Sequence, residues 1–184
     1  MIPIPDPGDR GVPRYSTRPF PAYRFVPGLH PHPNRDPAGH SYQPTRVSSR
    51  HAPWDVQDWQ RLDEWRYGVD LFNRFYFWEA HEVWEGLWTS AARDTPAALL
   101  LQGLIQMAAA LLKTHMGVVA GARTLSTQGL EKMRRAGAST PQLLGLNLAA
   151  VAARLEDYFA PVRHSQLPVI GETVPALRLE GLEN

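Results

Sequence analysis

The stretch WEAHEVWEGLW, residues 78–88, combines three tryptophans with three glutamates and one histidine. Glu79, Glu82 and Glu85 follow one another at intervals of three, so on an α-helix they form a slowly winding ridge. His81 precedes Glu85 by four residues and therefore lies beside it. The aromatic residues favour burial, and carboxylates withdrawn from water need a cation, a metal ion or hydrogen-bond donors. The stretch therefore predicts both a packed helix and a functional site.

Four further helices are predicted around this one, which indicates an all-α bundle of about five helices. Apolar residues recur at steps of three or four on both sides of the opening stretch. Thr95-Pro96 is typical of a helix start, an N-cap followed by proline, and Thr140-Pro141 repeats that signal. We expect Asn73 to end helix one in a left-handed conformation and Gly137 to end helix four. The predicted helices cover residues 54–72, 76–90, 96–115, 117–135 and 141–159.

The distribution of proline divides the chain into three segments. Twelve of the seventeen prolines lie in residues 1–53, and this density predicts a non-helical arm. Large apolar side chains in the arm favour partial order against the bundle, with residues 18–53 packed and residues 1–12 loose. Residues 54–160 are predicted to form the helical domain and residues 161–184 a short extended tail.

Composition excludes several classes of function. The formal net charge of +1 provides no overall field for nucleic acid or anionic lipid, so we expect neither as a partner. The lack of cysteine excludes disulfides and thiolate metal sites and favours a reducing cytoplasm. The first 20 residues carry no continuous apolar targeting segment, and the longest apolar run is short for a membrane span. Walker, dinucleotide and G-x-S-x-G motifs are absent from the sequence.

Helix three is apolar apart from a narrow stripe formed by Gln102, Gln106 and Lys113. A polar stripe on a core helix is typical of a helix that faces another polar group. We expect these side chains to face Glu79 and Glu82 and to contact a ligand or cofactor there. The alternatives are a buried structural network and a stripe that is simply open to water.

The segment from His81 to Glu85 also indicates a metal site. A histidine and a glutamate four residues apart can chelate one divalent ion such as zinc, iron or manganese. Glu82 lies beside them as a candidate general base, and Glu79 and His81 are further candidates for acid–base catalysis. The pattern is short, so a ridge without metal is the alternative.

The arm contains a second group of metal-ligand residue types. His30, His32, Asp36 and His40 lie within eleven residues, and prolines hold this segment extended. If the arm folds over helix two, His32 and His40 complete the metal site or close it. The alternative is a proline-rich loop whose histidines are solvated or cap backbone groups.

Three linked motifs resemble a known family. They are DLFNRFYFWEAHEVWEGLW (70–88), LLQGLIQMAAALLK (100–113) and GVVAGARTL (117–125). They are similar to the bacterial and archaeal family called domain of unknown function 309, over roughly residues 60–135, and the arm resembles the leader of a longer branch. The resemblance implies a compact helical fold and no established activity. It implies these signature positions, without assigned roles: Asn73, Glu79, His81, Glu82, Glu85, Gln102 and Gln106. The family often has glycine where this chain has Phe75.

Two functions are compatible with these observations. The first is a metal-dependent or acid–base hydrolase that acts on a small molecule. The second is a non-catalytic helical module for binding or homo-oligomerisation, in which the Glu/His/Gln cluster is a structural polar network. In that case Trp54, Trp59 and Trp65 on helix one would be the exposed anchors of the interface.

Overall fold

The computed structural model describes residues 2–44 and 53–182, and its main elements are helices. A short antiparallel hairpin of two strands, with Gln142 opposite Asn147, separates the last two α-helices. The predicted all-α bundle with a non-helical arm is confirmed. In chain order the elements are a 3₁₀ turn (Val56–Arg61), α1 (Asp63–Asn73), α2 (Phe77–Ser90), α3 (Pro96–His115), α4 (Val119–Ser139), β1 (Gln142–Leu143), β2 (Leu146–Asn147), α5 (Leu148–Phe159) and a second 3₁₀ turn (Ala160–His164).

The helix α3 lies at the centre of the bundle, between α2 and α4. Glycines at the α3–α4 crossing allow close approach: a Cβ on Gly103 would lie 2.7 Å from Met133 Cγ and 3.0 Å from the carbonyl oxygen of Gly129. By length and composition, α3 is the described helix that could cross a membrane, but most of it is buried within the bundle. Its apolar character therefore fits a core helix.

One of the two helix starts predicted from a cap signal is correct. Thr95 accepts a hydrogen bond from the Ala98 N–H (3.2 Å) and starts α3 as predicted. The expected start at Thr140-Pro141 is wrong, because the chain forms the hairpin first. Asn147 caps α5 instead, and its side chain accepts a hydrogen bond from the Ala150 N–H at 3.0 Å.

Two other helix limits differ from the prediction. Helix one is broken at Leu62, where ψ is 89°, into the first 3₁₀ turn and α1. Trp59 and Trp65 are buried on either side of the break, so the apolar spacing alone does not reveal it. Gly137 does not end α4, which continues to Ser139. This glycine instead brings α4 close to α5, since a Cβ there would lie 3.2 Å from Leu148 Cβ.

The turn between α1 and α2 places the left-handed residue at Phe75, not at Asn73. Phe75 has a φ of +64° and is fully buried. Asn73 remains in α1, and its side chain binds the backbone of Leu177: Nδ2 donates to the carbonyl oxygen and Oδ1 accepts from the N–H, both at 2.8 Å. The asparagine therefore attaches the C-terminal tail to the bundle.

The arm packs against α1 and α2. Asp70 on α1 accepts hydrogen bonds from the backbone N–H groups of Tyr15 and Ser16, and Val26 is fully buried. The expectation that residues 1–12 are loose is wrong for the described part, since Ile4 is buried in the core and Arg10 donates to the carbonyl oxygen of Asn73. Residues 45–52, which the predicted arm includes, lie outside the described residues.

Candidate functional site

His81, Glu82 and Glu85 bring three donor groups together on α2. The His81 Nδ1 atom lies 3.6 Å from Glu82 Oε1, and its Nε2 atom lies 3.9 Å from Glu85 Oε2. One donor atom from each residue lies within 4.8 Å of the others. Two atoms that each lie about 2.1 Å from an ion are up to about 4.2 Å apart. Because Glu82 and Glu85 lie near different nitrogens of the His81 ring, side-chain rotation is required to place all three donors around one ion.

The Nδ1 atom of His81 is shielded from solvent and has no hydrogen-bond partner in residues 2–44 and 53–182. Leaving a buried polar atom without a partner costs about 1–3 kcal/mol. The contact to Glu82 at 3.6 Å is too long for a hydrogen bond. The ring is therefore held beside two carboxylates with a nitrogen that remains available to a ligand.

Glu82 is positioned by the arm. Its Oε2 atom accepts a hydrogen bond of 2.8 Å from Asn34 Nδ2, and its side chain is 31% exposed. Burial raises the pKa of Glu82 above its ordinary value, and the neighbouring His81 partly opposes this rise. Because Asn34 occupies one oxygen, Oε1 faces the histidine. The carboxyl group is thus oriented toward the three-residue cluster.

Glu79 begins the same ridge but lies beneath the arm. It is 4% exposed, and its Oε1 atom accepts the backbone N–H of Phe25 at 2.9 Å and lies 3.0 Å from His40 Nε2. Its Oε2 atom is buried and has no hydrogen-bond partner among the described groups. The ridge is therefore divided: Glu79 binds the arm, and the next two glutamates face His81.

The arm folds over α2, as a composite site requires, but its histidines have separate partners. His40 contacts Glu79 as described, and its Nδ1 atom lies 2.8 Å from Ser41 Oγ. The ring of His32 packs against Trp78 and Phe25, with centroids 5.3 Å apart in both cases. Neither His32 nor His40 belongs to the group of donor atoms formed by His81, Glu82 and Glu85.

The expectation that the α3 stripe faces Glu79 and Glu82 is wrong, because the arm provides the partners of both acids. Gln106 faces α4: its Nε2 atom donates to Gln128 Oε1 and its Oε1 atom accepts from Lys132 Nζ, both at 3.1 Å. The alkyl chain of Lys113 lies against the backbone of Gly121, further along the bundle.

Gln102 and Gln106 nevertheless line a cleft that also includes Glu85. An open cleft of about 240 Å³ begins at Glu85 and continues along α3 to α4; it is lined by Glu85, Trp88, Gln102, Ile105, Gln106 and Lys132. A cleft of about 590 Å³ shares Trp88 and Gln102 with it and extends to Arg93 and Asp94. The larger cleft is within the usual range of about 300–1,000 Å³ for small-molecule sites, and the cleft at Glu85 is slightly below it.

Two residues of this region were missed by the sequence analysis. Asn34, which orients Glu82, lies between His32 and His40 in the sequence. The histidine pattern did not single it out, because asparagine is not one of the residue types that the pattern uses. Lys132 lies within α4, two turns before its end, among basic residues that carry no metal-ligand pattern. Its contact with Gln106 depends on how α3 and α4 pack, and no local spacing reveals that.

The tryptophans of the first predicted helix are not exposed anchors. Trp65 is fully buried and donates its indole N–H to the carbonyl oxygen of Leu144 at 3.1 Å. Trp59 is also buried, and Trp54 is half-buried and donates to the carbonyl oxygen of Leu87 at 3.2 Å. The prediction that they form an exposed interface is therefore wrong, because the chain itself covers them.

Comparison with known families matches the central part of the chain. Residues 65–125 match a family model described as "Domain of unknown function (DUF309)". The match runs from α1 into α4 and includes His81, Glu82 and Glu85, whereas Asn34 and His40 of the arm lie outside it. A comparison with curated proteins gives no match. Residues 65–125 of this chain are therefore similar to the DUF309 family.

Proposed function

We propose that the chain is a metal-dependent hydrolase of a small molecule, with one divalent ion bound by His81, Glu82 and Glu85. The convergence of these three side chains is the observation that carries the proposal. The shielded, unpartnered nitrogen of His81 supports it. One imidazole and two carboxylates suit zinc, iron or manganese. The two carboxylates repel each other, and a cation between them would compensate this repulsion.

The side chains have distinct tasks in this proposal. His81 and Glu85, one helical turn apart, provide a rigid pair of ligands on α2. Glu82 completes the set through Oε1 while Asn34 holds its other oxygen. A bound ion of this kind lowers the pKa of coordinated water and polarises a carbonyl or phosphoryl oxygen.

The cleft beside Glu85 and the larger cleft that adjoins it provide space for a substrate. The Trp88 indole and the Gln102 amide line both of them, so a planar, polar molecule could contact a ring face and an amide together. Lys132 adds one positive charge at the α4 side. Glu82 is the half-buried carboxylate nearest His81, and it becomes the general base if the ion is held by His81 and Glu85 alone.

Metal titration of protein without a histidine tag tests the ion site. We expect zinc, iron(II) or manganese(II) to bind at one ion per chain in isothermal titration calorimetry. His81→Gln and Glu85→Gln should each weaken binding by at least about tenfold. Glu131→Gln is the matched control, because it removes one exposed carboxylate from α4. No binding, or equal affinity in all variants, would contradict the site.

Hydrolysis assays separate the reaction from the ion site. Metal-loaded protein is incubated with 4-nitrophenyl acetate and 4-nitrophenyl phosphate, and release of nitrophenol is measured. We expect Glu82→Gln to lower the rate by about 100-fold or more. If that variant keeps its metal affinity, Glu82 is the base; if it loses the metal, Glu82 is a ligand. Stoichiometric metal without hydrolysis of either probe would contradict the hydrolase assignment and leave the ion site standing.

The alternative is a non-catalytic module in which these polar groups hold the arm on α2. The contacts of Glu79 with Phe25 and His40 favour this role for the buried end of the ridge. Glu79→Gln should then lower the free energy of unfolding by about 1–3 kcal/mol, since it removes the charge from a buried network. Metal affinity should not change. A large loss of metal affinity in this variant would assign Glu79 to the ion site instead.

A further inference from the structure

Three arginines border a small cleft that is separate from the cleft at Glu85. The cleft has a volume of about 140 Å³ and lies between α4, α5 and the second 3₁₀ turn. Arg123 and Arg134 come from α4, and Arg163 comes from the turn. The hydroxyl-bearing Thr127 lies one helical turn after Arg123, on the same face of α4. The fold thus brings together cationic and hydroxyl groups that are separate in the sequence.

The charges in this cleft are only partly compensated. Glu156 on α5 binds both Arg134 and Arg163, the latter with Nη2 at 2.7 Å from Oε1. Hydrogen bonds from Arg134 hold the pKa of Glu156 below its ordinary value, so it remains a carboxylate. Arg123 has neutral acceptors: its Nη2 atom donates to Ser165 Oγ at 2.8 Å. Three positive charges therefore face one negative charge across the cleft.

We propose that this cleft binds the phosphate group of a small molecule. Guanidinium groups recognise phosphate oxygens through pairs of parallel N–H donors, and arginine remains charged at all physiological pH values. Glu156 holds two of the guanidinium groups at the edge of the cleft, so they are already oriented before the anion binds. The volume suits a phosphate group and is below the usual 300–1,000 Å³ of pockets for whole ligands. The remainder of a phosphate ester would lie in solvent.

This site is independent of the proposed metal centre. Of its arginines, only Arg123 lies within the segment that matches DUF309, and none of the residues lining the cleft lines the space beside Glu85. Failure of one proposal therefore leaves the other unaffected. Glu156 competes with phosphate for the two guanidinium groups that it orients. We therefore expect its removal to strengthen phosphate binding.

Calorimetric titration at constant ionic strength, with inorganic phosphate and adenosine monophosphate as probes, tests the proposal. We expect a dissociation constant of about 1 mM or lower. Arg134→Gln and Arg163→Gln should each weaken binding about tenfold. Arg135→Gln is the matched control, since it removes an exposed charge from the neighbouring position of α4. A tighter complex with the nucleotide would identify a phosphate ester as the ligand, and equal or weaker binding would identify free phosphate.

Glu156→Gln provides the decisive comparison. Because it removes the competing carboxylate, we expect it to tighten phosphate binding by about threefold to tenfold, while both arginine variants weaken it. Circular dichroism of every variant verifies the fold. Absence of binding at about 10 mM phosphate, about 10-fold above the expected constant, would overturn the proposal. Equal affinity of the wild-type protein, Arg134→Gln and Arg163→Gln would also overturn it, as would unchanged or weaker binding by Glu156→Gln.

Discussion

The left-handed conformation of Phe75 predicts an inverted effect of glycine. In an ordinary helix interior, glycine is about 1 kcal/mol less stable than alanine. At a φ of +64° the order should reverse, because a residue with a Cβ atom costs about 1–2 kcal/mol in the left-handed region and glycine does not. We therefore compare Phe75→Ala with Phe75→Gly, since both remove the ring and differ only in the Cβ atom.

The magnitudes follow from burial and backbone strain. Phe75 is fully buried, and the Arg10 guanidinium lies over its ring at 4.9 Å from the centroid. Truncation to alanine should therefore lower the free energy of unfolding by about 3–5 kcal/mol. Phe75→Gly recovers about 1–2 kcal/mol of strain but gains chain entropy in the unfolded state. The glycine variant should then be about 1 kcal/mol more stable than the alanine variant, although both are less stable than the wild type.

Urea unfolding followed by tryptophan fluorescence measures this difference. The matched control is Ala80→Gly, at a fully buried position inside α2, where glycine should lower the free energy of unfolding by about 1 kcal/mol or more. If the free energy of unfolding falls with urea concentration at the same slope in all variants, their folded states are comparable. If Phe75→Gly is no more stable than Phe75→Ala, backbone strain at this turn does not have the expected size.

Three further predictions concern packing and pH. Asn73→Ala should lower the free energy of unfolding by about 2–4 kcal/mol, since it leaves both backbone groups of buried Leu177 unpaired; urea unfolding measures it. Gly103→Ala should lower the free energy of unfolding by about 1–3 kcal/mol, because the added Cβ forces α3 away from α4. A lower melting temperature would show this effect. Burial raises the pKa of Tyr158, so stability should fall as pH rises above about 10, and Tyr158→Phe should reduce this fall in alkaline unfolding.

Features of the fold that depend on local sequence could be predicted. The limits of α3 follow from Thr95, whose hydroxyl caps the helix, and from a proline at the first helical position. The adjacency of His81 and Glu85 requires only that α2 is a helix, because residues four apart share a face. These parts of the candidate site are therefore determined by spacing along one element.

Features that depend on distant contacts could not be predicted. Asn34 and Glu82 are separated by 48 positions, and only the path of the arm brings them together. The expectation that Gln106 faces the acids of α2 is wrong for the same reason, because its partner Lys132 lies on α4. The hairpin before α5 was hidden by an apolar pattern compatible with a helix. Its turn requires positive φ at both Leu144 (49°) and Gly145 (76°).

The attachment of the arm has a consequence for how this chain is divided into modules. The segment that matches the family model, residues 65–125, does not include the arm that packs against it. A fragment cut at its limits would lose Phe25 and Asn34, the hydrogen-bond donors to two carboxylates of α2, and would expose the surface that Val26 covers. Substitutions in the arm are therefore expected to change the surroundings of Glu79 and Glu82, and substitutions of these acids to weaken the attachment of the arm.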